Sequence, residues 1–399
     1  GPEDDNDQQT RLLTKAFRCH QQDNWDHAER LYRQLLQKNP GHAQALYLLG
    51  TGRAQHNDPA GAVDLLTQAI ENGAENAAVR VNLGNALLQL GQTDEAEKVV
   101  RAAVEGYPHD AGAWFCLGRI SSIRKDHVMA HQCFEKSLEI RPGYAQARFQ
   151  LGLAQFHQGR LAEAAESYRM ALQLSPRLVH VYAELGKVLQ KLGRPEEAVQ
   201  AYQQYVRVQP NAADGWNNLG LVQRQLAQMD AAAESCRRAL QINPQLAQTW
   251  NNLGNILKTL GRFEEALAHY RRAVEIKPDF VQAHSNIVLC LNYVPVVDEK
   301  VLFNEHLRWA AAHIGACPPE RTYANTADPS RRLQVAYLSP DLRQHAVACF
   351  FEPLLANHNR DAVEVTCYAQ LARSDATTRR LQSQSDHWCC TVGMSNAEL

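Results

Sequence analysis

The stretch ADGWNNLGLVQRQLAQMDAAAESCRRALQINPQL (213–246) runs without a break into AQTWNNLGNILKTLGRFEEALAHYRRAVEIKPDF (247–280). Laid one over the other, the two share Trp at the fourth position, Leu-Gly at the seventh and eighth, Ala at the twentieth and Pro near the end. The same interval extends through most of the chain. Prolines stand at Pro40, Pro108, Pro142, Pro176, Pro210, Pro244 and Pro278, spaced by 34 or 68, with Ala74 in the one missing place. Leu-Gly recurs at Gly50, Gly84, Gly118, Gly152, Gly186, Gly220 and Gly254, and alanine without exception at Ala28, Ala62, Ala96, Ala130, Ala164, Ala198, Ala232 and Ala266. Three series with one period do not arise from composition.

A 34-residue unit with Trp/Tyr-xx-Leu-Gly, then Ala, then Pro resembles the tetratricopeptide repeat (TPR). Eight repeats are read at 9–42, 43–76, 77–110, 111–144, 145–178, 179–212, 213–246 and 247–280. The first is degenerate, with Lys15-Ala16 in place of Leu-Gly, and a ninth first helix over about 281–293 closes the array. Gly and Ala remove bulk where two antiparallel helices approach, and aromatics such as Trp114, Tyr182, Trp216 and Trp250 are expected to fill the space beside them. Proline stops the second helix. Each repeat buries its apolar face only on its neighbours, so the array is a solenoid with a concave face.

The 399 residues are 45% hydrophobic and 21% charged, enough for a large core and more than one folded unit. A net charge of -2 lacks the electrostatic footprint of a general nucleic-acid binder. With no membrane-spanning run and no leader, a cytoplasmic chain is the expectation. Gly1-Pro2 reads as a remnant of tag removal, and 1–8 as a flexible lead-in. The ten cysteines show no CxxC and no zinc spacing. They read as reduced, mostly buried thiols; for the vicinal Cys389-Cys390 pair buried packing is the expectation and a redox role the alternative.

At 100° per residue the sixth position of each first helix points away from the core stripe and toward the groove. It holds Asn82, Asn218, Asn252 and Asn286; the ninth, on the same stripe, adds Asn85 and Asn255. A row of amides can hydrogen-bond the backbone of an extended peptide without reading its side chains. Any one of them alone is an ordinary solvated polar position; recurrence argues for a ladder, broken in the middle by Cys116, Gln150 and Glu184. The partners expected are extended protein or peptide segments, with no nucleic acid and no membrane, and a homo-oligomer is compatible with the sequence.

After about 297 the period is lost. DEKVLFNEHLRWAAAHI (298–314) has helical spacing and reads as a docking helix, followed by a loop to 330. LQVAYLS (333–339) is a strand, VACFFEPLLANH (347–358) a helix, EVTCYAQ (364–370) a second strand, and 377–385 a polar helix. Strand, helix, strand, helix implies the opening of a parallel α/β sheet.

LNY (291–293), EHLRWAAAH (305–313) and RRLQVAYLSPDLRQHAVACFFEPLLANHNRDAVEVTCYAQ (331–370) resemble the TPR-linked protein O-GlcNAc transferase family, in its bacterial, SPINDLY-like branch. The resemblance implies a mainly α fold, a right-handed TPR superhelix (α-solenoid) followed by a partial α/β Rossmann-like lobe. It implies transfer of a sugar from UDP-GlcNAc to Ser/Thr of proteins, and it matches His345 to the family histidine after the first catalytic strand. Such a histidine can donate to a phosphate or to the acceptor hydroxyl, or take up a proton. Equally, His345 and Asp341 can simply order a strand-to-helix loop and cap the helix. Ser339 and Asp341 lie in the same turn.

By that resemblance Leu399 falls before the rest of the family's first lobe and its whole second lobe, so 331–399 is expected to be an incomplete catalytic N-lobe. No donor sugar is expected to bind this fragment alone, because half a Rossmann-like pair forms no crevice. Two function classes remain: a transferase whose superhelix presents substrates, and a non-catalytic TPR adaptor. GxxxxGK followed by Ser or Thr, GxGxxG and HExxH are all absent.

Overall fold

The computed structural model describes residues 2–295, 297–313, 331–371 and 373–394, with side chains from Gln8 onward. They form two compact units, one up to Gly315 and one from Ala316 onward.

The first unit is a TPR solenoid. Its helix pairs are α1 (Pro2–Gln21) with α2 (Trp25–Lys38), α3 (Ala43–Gln55) with α4 (Pro59–Glu71), α5 (Ala77–Gln89) with α6 (Thr93–Gly106), and α7 (Ala111–Ile123) with α8 (His127–Ile140). They continue as α9 (Ala145–His157) with α10 (Leu161–Leu174), α11 (Val179–Lys191) with α12 (Pro195–Val208), α13 (Ala213–Gln225) with α14 (Met229–Ile242), and α15 (Ala247–Thr259) with α16 (Phe263–Ile276). Then come α17 (Val281–Leu291) and α18 (Glu299–His313). The first helix begins at Pro2, so the lead-in expected over 1–8 is helical from there.

Local chemistry sets the boundaries. Carboxylate and amide caps open helices, as where Asp110 Oδ1 accepts from the Ala113 N–H at 2.7 Å and Asn76 Oδ1 from Val79 N–H at 3.0 Å. Between the two helices of every repeat, the fifteenth position takes a positive φ. Gly91, Gly159, Gly193 and Gly261 hold it at 70° to 77°, and Asp23, Asn57, Lys125 and Ala227 at 58° to 62°. This left-handed residue ends the first helix and reverses the chain within two residues.

Packing within a pair is decided at the eighth position of the repeat, glycine from the second repeat to the eighth, but its partner is not the fourth-position aromatic. A Cβ on Gly152, Gly186 or Gly254 would meet the ring of Tyr168, Tyr202 or Tyr270 at 2.5 to 2.6 Å, and on Gly118 the ring of Phe134 at 2.6 Å. The glycine thus makes room for the twenty-fourth residue of its own repeat. Where that residue is smaller, as with Val100 against Gly84 or Cys236 against Gly220, the contact remains. The fourth-position indoles of Trp114, Trp216 and Trp250 instead donate to the carbonyls of Pro108, Pro210 and Pro244, each at 2.9 Å, tying each repeat to the one before. All eight twentieth-position alanines are fully buried.

Successive first helices touch directly, as α5 does α7, α13 does α15 and α15 does α17, and no successive second helices approach each other as closely. First helices are therefore the inner layer. The docking helix, expected over 298–314, packs on α17, where the Trp309 indole donates to Ser285 Oγ at 2.9 Å. There the buried His284 also meets Glu305 at 3.3 Å and His313 at 3.1 Å.

The second unit holds β1 (Leu333–Ser339), α19 (Ala346–Ala356), β2 (Val363–Ala369), α20 (Ala376–Ser383) and β3 (His387–Cys390). The sheet is parallel, in the order β1-β2-β3, with Leu333 opposite Val363 and Thr366 opposite His387. The core lies on one face, where Leu342, Leu355, Val365, Cys367 and Leu381 meet, and Arg380 of α20 pairs with Glu352 of α19 at 3.0 Å. A third strand was not expected, and Cys389-Cys390 belongs to it. Cys390 is exposed and Cys389 half-buried, which corrects the expectation of buried packing. Elsewhere burial prevails: it pushes the Cys116 and Cys133 thiols up to about 11 and Cys236 up to about 12. Cys317 and the loop 314–330 lie outside the described residues.

Candidate functional site

The asparagines of α13, α15 and α17 form two separate bonded pairs across repeat boundaries. Asn252 Nδ2 donates to Asn217 Oδ1 at 3.1 Å, and one repeat later Asn286 Nδ2 donates to Asn251 Oδ1 at 2.8 Å. A fifth-position carbonyl thus accepts from the sixth-position amide of the next repeat. Thr249 Oγ1 also donates to Asn217 Oδ1 at 3.0 Å, and Gln248 Nε2 to Asn252 Oδ1 at 3.2 Å. Asn255 Oδ1 accepts from the Tyr270 hydroxyl at 2.9 Å. The sixth-position amides therefore first join neighbouring repeats, and only their remaining valences are open to a ligand. Asn252 is only 4% exposed, more enclosed than a residue on an open face.

Earlier in the array the pattern is looser. Asn82 Nδ2 donates to Thr51 Oγ1 at 3.1 Å, and Asn85 Oδ1 accepts from Arg119 Nη1 at 2.8 Å. Asn218 is half-buried, and no side chain among the described residues engages its own. The structure brings Asn252, Asn255 and Asn286 together on one cavity of about 490 Å³, and leaves Asn82, Asn85 and Asn218 outside it. Arg224, Gln248, Asn251 and Ser285 also line it. Sequence reading missed Asn217 and Asn251, although the Asn-Asn pairs at 217–218 and 251–252 were a signal for them. Arg224 had none, since nothing recurs at its position.

A larger hollow of about 780 Å³ lies between α12 and α14, over Trp216 and Leu219. It is away from the amides, and the Trp216 N–H is already spent on Pro210.

In the second unit His345 is the N-cap of α19, where its Nδ1 accepts from the Val347 N–H at 3.2 Å. Asp341 Oδ2 stands 3.8 Å from the same nitrogen, too far for a hydrogen bond. An accepting Nδ1 carries no proton, so the imidazole proton sits on Nε2, on a side chain that is 43% exposed. The loop carrying His345 is tied to α20. Asp375 Oδ2 accepts from the Gln344 N–H at 2.7 Å, its Oδ1 caps Thr378 N–H at 2.8 Å, and Thr378 Oγ1 donates to the Leu342 carbonyl at 3.0 Å. Ser339 Oγ accepts from Asp341 N–H at 3.0 Å within the same turn.

Family profiles described as tetratricopeptide repeat match residues 21–77, 130–178 and 184–247, with further repeat profiles over 53–115 and 247–280, together more than half of the sequence. The chain belongs to the tetratricopeptide-repeat proteins. This TPR protein is similar to the probable UDP-N-acetylglucosamine–peptide N-acetylglucosaminyltransferase SPINDLY of Solanum lycopersicum, 29% identical over 99 residues, or 25% of this chain and 11% of that protein. It is also similar to Superkiller complex protein 3 of Mus musculus, 32% identical over 117 residues, or 29% of this chain and 7% of that protein. Among solved structures, an O-GlcNAc transferase mutant from Thermobaculum terrenum aligns at 31% identity with a TM-score of 0.44, covering 55% of this TPR protein and 42% of that chain. The matched stretches thus span about a tenth of the length of the curated relatives. No helix among the described residues of the TPR protein is long and apolar enough to cross a membrane.

Proposed function

We propose that this TPR protein is the substrate-holding part of a protein O-GlcNAc transferase-like enzyme, taking extended Ser/Thr-bearing protein segments along the concave face of its first helices. The observation that carries this reading is the amide-lined cavity of α13, α15 and α17, whose open valences suit a peptide backbone. The transferase part rests on the resemblance of 331–370, while the similarity to SPINDLY bears on the repeat array. On that reading 331–399 opens a Rossmann-like lobe, and His345 offers its Nε2–H to a phosphate or an acceptor hydroxyl. UDP-GlcNAc is the donor of the complete enzyme, and this fragment alone is inactive. A cytoplasmic setting is part of this reading.

Replacing Asn218, Asn252 and Asn286 together by Ala weakens binding of unstructured Ser/Thr peptides in fluorescence anisotropy, with helicity kept in circular dichroism. Unchanged affinity refutes the ladder. For the transferase part, calorimetric titration with UDP gives no heat with this chain and saturable binding with a longer gene product that carries the second lobe. Binding by neither form leaves the second reading, a non-catalytic TPR adaptor.

A further inference from the structure

The cavity on α13, α15 and α17 is one-sided in its chemistry. Its lining contains a guanidinium, amides and a hydroxyl, and no carboxylate. The cation is Arg224, half-buried on α13, and no hydrogen bond or ion pair among the described residues engages its side chain. Two arginines on second helices are held differently: Arg237 of α14 pairs with Glu234 at 3.3 Å and Arg272 of α16 with Glu275 at 2.8 Å.

The neighbours of Arg224 have their acceptors occupied and their donors open. Asn251 Oδ1 takes the Asn286 amide and Asn255 Oδ1 takes the Tyr270 hydroxyl, so both amide NH2 groups remain for a ligand. Ser285 Oγ takes the Trp309 indole N–H, which leaves its own proton to donate. An unpaired guanidinium beside several spare N–H and O–H donors can have its hydrogen bonds met by peptide carbonyls, but not its charge. It is well satisfied by a carboxylate, which accepts a forked pair of bonds from arginine and further bonds on its remaining lone pairs.

We propose that Arg224, with Asn251 and Asn255, forms a carboxylate subsite that selects protein segments bearing an acidic residue. This rests on the reading of the first-helix face as a peptide groove. It adds side-chain selectivity to a surface whose other contacts address the backbone.

The test uses N-acetylated, C-amidated Ser/Thr-rich peptides, identical but for one central Glu or Gln, titrated against the full chain by fluorescence anisotropy. The Glu peptide binds about tenfold tighter than the Gln peptide, the increment expected of a charge-assisted pair. Arg224→Gln removes that difference between the Glu and Gln peptides, and Arg224→Lys keeps part of it. A third peptide, with Gln at the centre and a free C-terminal carboxylate, separates the two sources of the anion. Tight, Arg224-dependent binding by this peptide alone overturns the assignment to a side chain. Equal binding of Glu and Gln peptides by the wild-type chain overturns the subsite and leaves the groove intact. Binding of none of them overturns both.

Discussion

Ala227 and Lys125 hold φ near 60°, a conformation their repeat demands and their side chains oppose. The left-handed region costs an L-residue about 1–2 kcal/mol, whereas glycine there costs only roughly 0.5–1 kcal/mol in chain entropy. Relief of strain wins. Ala227→Gly and Lys125→Gly are each expected to raise the urea midpoint, followed by circular dichroism at 222 nm, by an amount worth a few tenths to about 1 kcal/mol. The control is Gly261→Ala, which lowers it, because Gly261 takes the same turn at φ 74°. At this scale the sequence was only half informative. Glycine marks the turn in four repeats, while Asp23, Asn57, Lys125 and Ala227 conceal it in the others.

Among elements, the two helix starts of the second unit depend on one carboxylate. Backbone hydrogen bonds from Gln344 and Thr378 hold the Asp375 carboxyl below its usual range near 3.8. A depressed folded-state pKa contributes stability that is present above the unfolded value and is lost as pH falls through the folded one. Hydrogen exchange of the Gln344 and Thr378 amides, corrected for intrinsic rates, should therefore show protection at pH 5 that declines below about pH 3.8. In Asp375→Asn the protection is lower at pH 5 and no longer declines with acid. A decline of equal size in the variant would show that another group controls these amides. The loop that Asp375 fastens is the one carrying His345, so the same measurement reports on how firmly that imidazole is placed.

Across the whole array, each repeat buries its core on its immediate neighbours, and a defect in one should spread only to them. Gly186→Val places two methyls where a single Cβ already meets the Tyr202 ring at 2.6 Å. Overpacking of this kind costs on the order of 1–3 kcal/mol or more. Hydrogen exchange by mass spectrometry is expected to show faster opening of α9 to α14, with α3 to α6 close to wild type. Uniform acceleration from α1 to α17 would instead mean a single cooperative core.

The period, the helix pairs and the buried alanine of every repeat were legible in the sequence, because each reflects a short-range constraint that recurs until it cannot be missed. The strands over 333–339 and 363–369 were legible for the same reason, being apolar runs of useful length, whereas HWCC at 387–390 is too short to reveal itself. Periodicity also marked the asparagines, since it says which side of a helix a residue occupies. It does not say what lies within reach across a repeat boundary. That Asn252 is bound to Asn217, that Gly254 accommodates Tyr270 rather than Trp250, and that Arg224 shares a cavity with Asn251 and Ser285 follow from the angle at which one repeat stacks on the next. That angle is a property of many packed side chains at once, and only the tertiary structure decides it.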